Sequence, residues 1–165
     1  MTSDSDPWQV WFDRHGTALL LLARQWVSDR SVAEDIVQEA FVRFWRSRQN
    51  AKDPAAYLFA CVKHCALEWR RGRQRRTKRE SEVARPEVET FFSGPLDQAE
   101  RRLAIAAALG ELPVEQREVV VMKIWGGLSF LQIAEALEVS PNTAASRYRY
   151  ALAKLREQLA EEPIK

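Results

Sequence analysis

Helix-start signals recur along this chain, and none of the segments they open alternates with the period of two that a strand requires. Asp6, Pro7 and Gln9 supply a capping side chain, a proline for the first helical turn and an amide three residues after the cap. The pattern predicts a long helix to about Val27. Ser31 and Glu34 read as a capping box, and the apolar residues behind them, Val32, Ala33, Ile36, Val37, Ala40, Phe41, Phe44 and Trp45, form one buried stripe. Asp53 and Pro54 start a third helix with Tyr57, Ala60, Cys61, His64, Cys65, Glu68 and Trp69 on one face. Helical spacing resumes near Leu96 or Asp97 and runs to Leu109, with Gly110 as a C-terminal cap. Pro113 opens the next helix, which carries Val119, Val120 and Ile124 and stops at Gly126-Gly127. Ser129 and Gln132 make another capping box for a short helix to Leu137, and Ser140 with Pro141 begins a last one through about Ala160. The fold class expected is all-α.

Between these runs, residues 80–98 lose all periodicity and contain Pro86, Gly94 and Pro95. The expected organisation is therefore two small helical domains, 6–79 and 99–161, joined by a charged linker over 80–98. A chain of 165 residues divided in this way has no room for a large α/β enzyme. Apolar runs such as Ala18 to Ala23 are too short to span a membrane, and the N-terminus lacks the basic region of a secretory signal. Cys61 and Cys65, four apart within a helix, are a poor disulfide framework. The expected location is cytoplasmic.

The formal net charge of +2 hides an uneven distribution. Residues 69–79 carry 7 basic side chains and no acid, whereas residues 80–98 carry 5 acids and 1 base. The block of Arg70, Arg71, Arg73, Arg75, Arg76, Lys78 and Arg79 is the kind of cluster that phosphate backbones attract.

A second basic element lies in the last helix. The short helix from Phe130 to Leu137, a three-residue turn and the helix beginning at Pro141 have the proportions of a helix-turn-helix. Ala134 is the small residue needed where the helices cross, and Ile133, Leu137, Val139 and Ala144 can lock them together. The outer face of the second helix then offers Asn142, Thr143, Ser146, Arg147, Arg149 and Tyr150, with no acid between Pro141 and Arg156. Amide, hydroxyl and guanidinium groups on one helix suit both phosphates and base edges in a major groove.

The residues from Glu111 onward resemble region 4 of the extracytoplasmic-function (ECF) sigma factors, the smallest sigma subunits of bacterial RNA polymerase. The resemblance rests on Leu112-Pro113, Gln116-Arg117-Glu118, Gly127-Leu128-Ser129, Ile133-Ala134-Glu135, Thr143, Ser146-Arg147, Ala151-Leu152 and Leu155-Arg156. Independently, Ala33 to Arg46 is similar to the family's core-polymerase-binding helix, and Asp53 to Arg76 to the helix that engages the −10 element. The chain departs from the family in having Tyr57, His64 and Glu68 where tryptophan, asparagine and aspartate are usual. It also has Glu138 in place of the turn glycine, and Ala144-Ala145 in place of a valine and a base.

The resemblance implies an alternative sigma factor that binds core polymerase and directs promoter-specific initiation. Asp35, Gln38, Glu39 and Val42, on one outward face of the second helix, would meet the β′ clamp, and the C-terminal domain the β flap. Gln49, Asn50 and Lys52 in the loop, with Tyr57, Lys63, His64, Arg70, Arg71 and Arg73, would bind the −10 element. Asn142, Thr143, Ser146, Arg147, Arg149 and Tyr150 would bind the −35 element. Phe59 and Trp69 are expected in the core. An anti-sigma factor is a further partner the family allows; no cofactor, metal or catalytic residue is implied. A stand-alone helix-turn-helix regulator with an N-terminal interaction domain shares the C-terminal features and differs over residues 31–79. An enzyme built on Cys61, His64 and Cys65 would have three ligands at most.

Overall fold

A computed structural model describes residues 7–76 and 104–161, so the expected linker at 80–98, the capping side chain of Asp6 and the start of the helix near Leu96 lie outside the described residues. All regular structure within them is helical: α1 (Pro7–Ala23), α2 (Arg30–Ser47), α3 (Pro54–Arg76), α4 (residues 104–110), α5 (Val114–Val120), α6 (Phe130–Leu137) and α7 (Pro141–Glu161). A 3₁₀ turn, Arg48–Asn50, follows α2, and a π-helical turn, Val121–Trp125, extends α5. None of the helices described is long and apolar enough to cross a membrane.

Several boundaries differ from those expected. α1 stops at Ala23 rather than Val27, and the buried Arg24 turns its guanidinium onto the Ser28 carbonyl to close the corner. α2 is capped by Asp29 and not by Ser31. The Asp29 carboxylate accepts from the Ser31 and Val32 amides at 2.8 and 3.4 Å, leaving Glu34 to pair with Arg30 on the surface. An acid two residues earlier satisfies the orphan N–H groups of Ser31 and Val32, so the chain enters the helix sooner. Gly110 is helical without a positive φ, and Ile124 is exposed. Asp53 caps α3 as expected, with its Oδ1 accepting from the Ala56 amide at 3.1 Å.

Aromatic residues fill the N-terminal half. Phe44, at 0% exposure, sits among Trp11, Phe41 and Tyr57 at centroid separations of 5.2 to 6.2 Å, mostly tilted or edge-on. The deepest residues of α3 are Leu58, Phe59, Val62 and Ala66, a wider stripe than the one read from Tyr57 to Trp69. That width has a cause: α3 is covered on one side by α1 and α2 and on another by α6, while the π turn packs on α1. The two helical halves therefore share one core cluster, which runs from α1, α2 and α3 into Val119, Val121, Met122, Leu128 and α6. A smaller cluster of Leu109, Leu112, Val120 and Ala151 ties α4 and α5 to α7.

The close approach of the halves depends on Gly126. A Cβ there would lie 2.5 Å from the Met122 carbonyl oxygen and 3.0 Å from the Phe59 ring, so only glycine lets α3 meet the end of the π turn. The turn itself is closed by the Gly126 amide donating to the Val121 carbonyl five residues back, at 3.0 Å.

Candidate functional site

The helix-turn-helix is built from its caps inward. Ser129 Oγ accepts from the Gln132 amide at 3.1 Å and Gln132 Oε1 accepts from the Ser129 amide at 2.9 Å, a complete capping box for α6. Glu138 ends α6 in the left-handed region, φ 57° and ψ 44°, a conformation that costs a non-glycine residue about 1 kcal/mol. The turn thus keeps the glycine geometry without the glycine. Ser140 Oγ accepts from the Thr143 amide at 3.1 Å and lies 2.8 Å from the Thr143 hydroxyl, so Thr143 helps to cap α7. Ala134, Ile133, Leu137 and Ala144 are buried at the crossing, and Phe130 packs edge-on against Tyr148.

This packing sets which α7 side chains are free. Asn142, Arg149 and Tyr150 are exposed, Tyr150 at 69%, while Thr143, Ser146 and Arg147 are half-buried. Arg149 Nη2 donates to Ser146 Oγ at 3.3 Å, aligning two of the expected base-reading groups on one strip of the helix.

On α2, Asp35, Gln38, Glu39 and Val42 are all exposed on the side opposite the core, Val42 at 51%. Glu39 is held from behind. Arg43 Nη2 donates to Glu39 Oε1 at 2.7 Å and, across to α3, Arg43 takes Glu68 in a bidentate grip at 3.0 and 3.3 Å. Sequence reasoning overlooked Arg43, although its position four residues after Glu39 is the spacing at which an acid and a base meet on a helix.

The residues expected at the −10 element divide into three groups. Gln49, Asn50 and Lys52 are exposed beside the 3₁₀ turn, where the Arg48 guanidinium stacks 3.4 Å from the Trp45 ring and donates to the Trp45 carbonyl. Arg70, Arg71 and Arg73 are exposed along the end of α3, and Arg73 lies 5.4 Å from the half-buried Trp69 ring. Tyr57, His64, Lys52 and Asp53 line a cavity of about 260 Å³ whose other wall is Glu135, Ala136 and Glu138. The first helix of the helix-turn-helix and its turn thus face part of this surface. Phe59 is fully buried, as expected.

Lys63 stands apart from its expected company. Its ammonium points into the contact between the halves, 3.2 Å from the carboxylate of Glu118 on α5, and is not free on the DNA side in this arrangement. Glu118 is 2% exposed, and burial raises its pKa in spite of Lys63 beside it. Beside that pair, Arg117 is half-buried; burial first, and then the neighbouring Arg70, push its pKa down. An acid placed directly before the apolar run Val119 to Met122 was the signal for such a partner, but nothing in the sequence names Lys63.

Cys61 and Cys65 are buried thiols. Desolvation raises both, Cys65 to about 11, so neither is poised as a thiolate ligand or nucleophile.

Both halves match known protein families in the expected order. Sigma-70 region 2 matches residues 11–76 and Sigma-70 region 4 matches residues 102–155. The ECF RNA polymerase sigma factor SigL of Mycobacterium tuberculosis is 32% identical over 154 residues, spanning 91% of this chain and 87% of SigL. The chain belongs to the ECF RNA polymerase sigma factors. Another relative of this sigma factor is the RNA polymerase sigma-E factor of Streptomyces coelicolor, 32% identical over 89% of the chain and 82% of the relative. The fold is similar to that of the sigma factor RpoE, solved with the anti-sigma factor NepR from Bartonella quintana: TM-score 0.73 at 22% identity, covering 94% of this chain and 98% of RpoE. CnrH, solved in complex with the cytosolic domain of CnrY, superposes with a TM-score of 0.64 at 26% identity over 94% of this chain and 89% of CnrH. A role in transcription initiation follows from family membership.

Proposed function

We propose that this sigma factor binds core RNA polymerase through Asp35, Gln38, Glu39 and Val42 on α2 and directs initiation at promoters read by two separate surfaces. The partner of α2 is the β′ clamp, and that of the C-terminal domain, here 99–161, is the β flap. The −35 element is read in the major groove by α7, through Asn142, Thr143, Ser146, Arg147, Arg149 and Tyr150. The −10 element is bound by Gln49, Asn50, Lys52, Tyr57 and His64 at the base edges, with Arg70, Arg71 and Arg73 on the backbone. Lys63 joins them once Glu118 is withdrawn.

The observation that supports this most directly is the pairing of an exposed, acid-bearing helix face in α2 with a fully capped helix-turn-helix whose exposed side chains are polar and basic. Because α6 and its turn face Tyr57 and His64, engagement of the −10 element requires the halves to separate. The chain works by binding in the cytoplasm and carries out no catalysis. An anti-sigma factor is a further partner, in keeping with the RpoE structure that holds one.

Reconstitution tests the reading. Purified chain mixed with core polymerase should form a holoenzyme that starts transcription at selected promoters. A chain that binds duplex DNA specifically but neither binds core nor starts transcription would instead be a stand-alone regulator.

A further inference from the structure

Arg43 joins the two surfaces of the N-terminal half. It lies on α2 one turn after Glu39, in the face proposed for the polymerase, and its fork grips Glu68 on α3. Glu68 in turn sits four residues after His64 and three before Arg71, so it shares the face of α3 proposed for the −10 strand. The Arg43 hydrogen bonds first, and then the charge of Arg43 with smaller influences from the neighbouring residues, hold its carboxyl below the usual carboxylate range. An acid on a phosphate-binding face repels the strand unless something neutralises it.

The neutralisation is incomplete as the residues stand. One guanidinium serves two carboxylates, and its Nη2 is divided between Glu39 Oε1 at 2.7 Å and Glu68 Oε2 at 3.0 Å. A polymerase surface that docks on the acidic face of α2 brings basic groups to Glu39. Once Glu39 is taken by such a group, Arg43 is left with Glu68 alone.

We propose that Arg43 is a positioning residue that passes its charge from Glu39 to Glu68 as the polymerase docks, so that the −10 face loses a repulsive acid only in the holoenzyme. This rests on the reading of α2 as the polymerase face and α3 as the −10 face. The coupling is local and electrostatic, and all three side chains stay half-exposed, so its effect is a modest factor that salt reduces.

The experiment uses full-length chain, saturating core polymerase and a promoter fragment, with core affinity and the extent of promoter opening measured separately. Arg43→Gln should bind core at least as tightly as the wild type, because Glu39 is released, and should open the promoter three- to tenfold less well at low salt. Adding Glu68→Gln should remove that defect, so that Arg43→Gln has no effect in the Glu68→Gln background. Arg43→Lys keeps the charge but not the fork, and should show a smaller defect that Glu68→Gln also suppresses; it serves as the second variant should Arg43→Gln melt early. Opening unaffected by Arg43→Gln, or a defect of equal size with and without Glu68→Gln, overturns the proposal. A wild-type chain that does not bind core overturns the function reading itself, before any variant is compared.

Discussion

The Lys63 ammonium on α3 and the Glu118 carboxylate on α5 meet 3.2 Å apart in the contact between the two halves, with side-chain exposures of 22% and 2%. The two partners stand fifty-five residues apart in the chain. The pair is costly to desolvate, and its value is in making one docking arrangement of the halves better than its neighbours.

Removing one partner should therefore hurt more than replacing both. Lys63→Ala leaves Glu118 buried without its cation and should lower unfolding free energy by about 2–4 kcal/mol in urea titration. The double variant Lys63→Met with Glu118→Leu should recover more than half of that loss. Equal losses in the single and double variants would show that the charges do not interact.

Two backbone positions should respond in opposite directions to substitution. Glu138→Gly relieves a left-handed residue and should raise stability by about 0.5–1 kcal/mol, net of the extra chain entropy glycine brings to the unfolded state. Gly126→Ala drives a Cβ into the Met122 carbonyl and the Phe59 ring and should cost about 1–3 kcal/mol. Thermal midpoints of the two variants should fall on either side of the wild type.

Reversing charge on α2 should weaken partner binding and leave the fold intact. Asp35 and Glu39 are exposed and cap nothing, so Asp35→Lys and Glu39→Lys should weaken capture by core polymerase at least tenfold with the circular dichroism spectrum unchanged. Wild-type capture by the double variant would move the polymerase site off this face.

For the −35 element, Arg149→Ala should cost about 1–3 kcal/mol at one promoter position and relax sequence preference there if Arg149 reads a base. A loss uniform across promoter sequences would mark a phosphate contact, and the slope of affinity against salt would then fall by about one unit.

His15 predicts the sign of the acid response. Packed between Trp11 and Phe59, it is held neutral by burial first and by Arg14 second, so its folded pKa lies below the ordinary 6.5. The unfolded chain binds the proton more readily, and stability is full above pH 6.5 and declines as pH falls below it. Glu118 acts in the opposite sense, since its raised pKa favours the protonated folded form between its folded value and the ordinary 4.5. His15→Gln should flatten the stability profile between pH 7 and 6 relative to the wild type, as followed by urea midpoints.

Much of the local structure was legible in the residues. The capping box of α6, the three-residue turn, Ala134 at the crossing and the exposed strip Asn142, Arg149, Tyr150 all follow from signals within a few positions of one another. At the start of α2 the earlier acceptor prevailed, and Asp29 took the place of Ser31 as the cap. Arg43 was legible in its spacing from Glu39 but not in its reach to Glu68, because that second contact crosses between helices.

By itself the sequence determined the helices, the caps of α3, α6 and α7, the helix-turn-helix and the separation of basic from acidic segments, since each depends on residues within one or two turns. Only the tertiary structure decided that the halves close on each other, that Lys63 faces Glu118 rather than solvent, and that Gly126 is the point of closest approach. The reason is physical: burial and ion pairing between distant segments depend on which faces meet in space, and an amphipathic helix with apolar residues on two sides does not say in advance what will cover each.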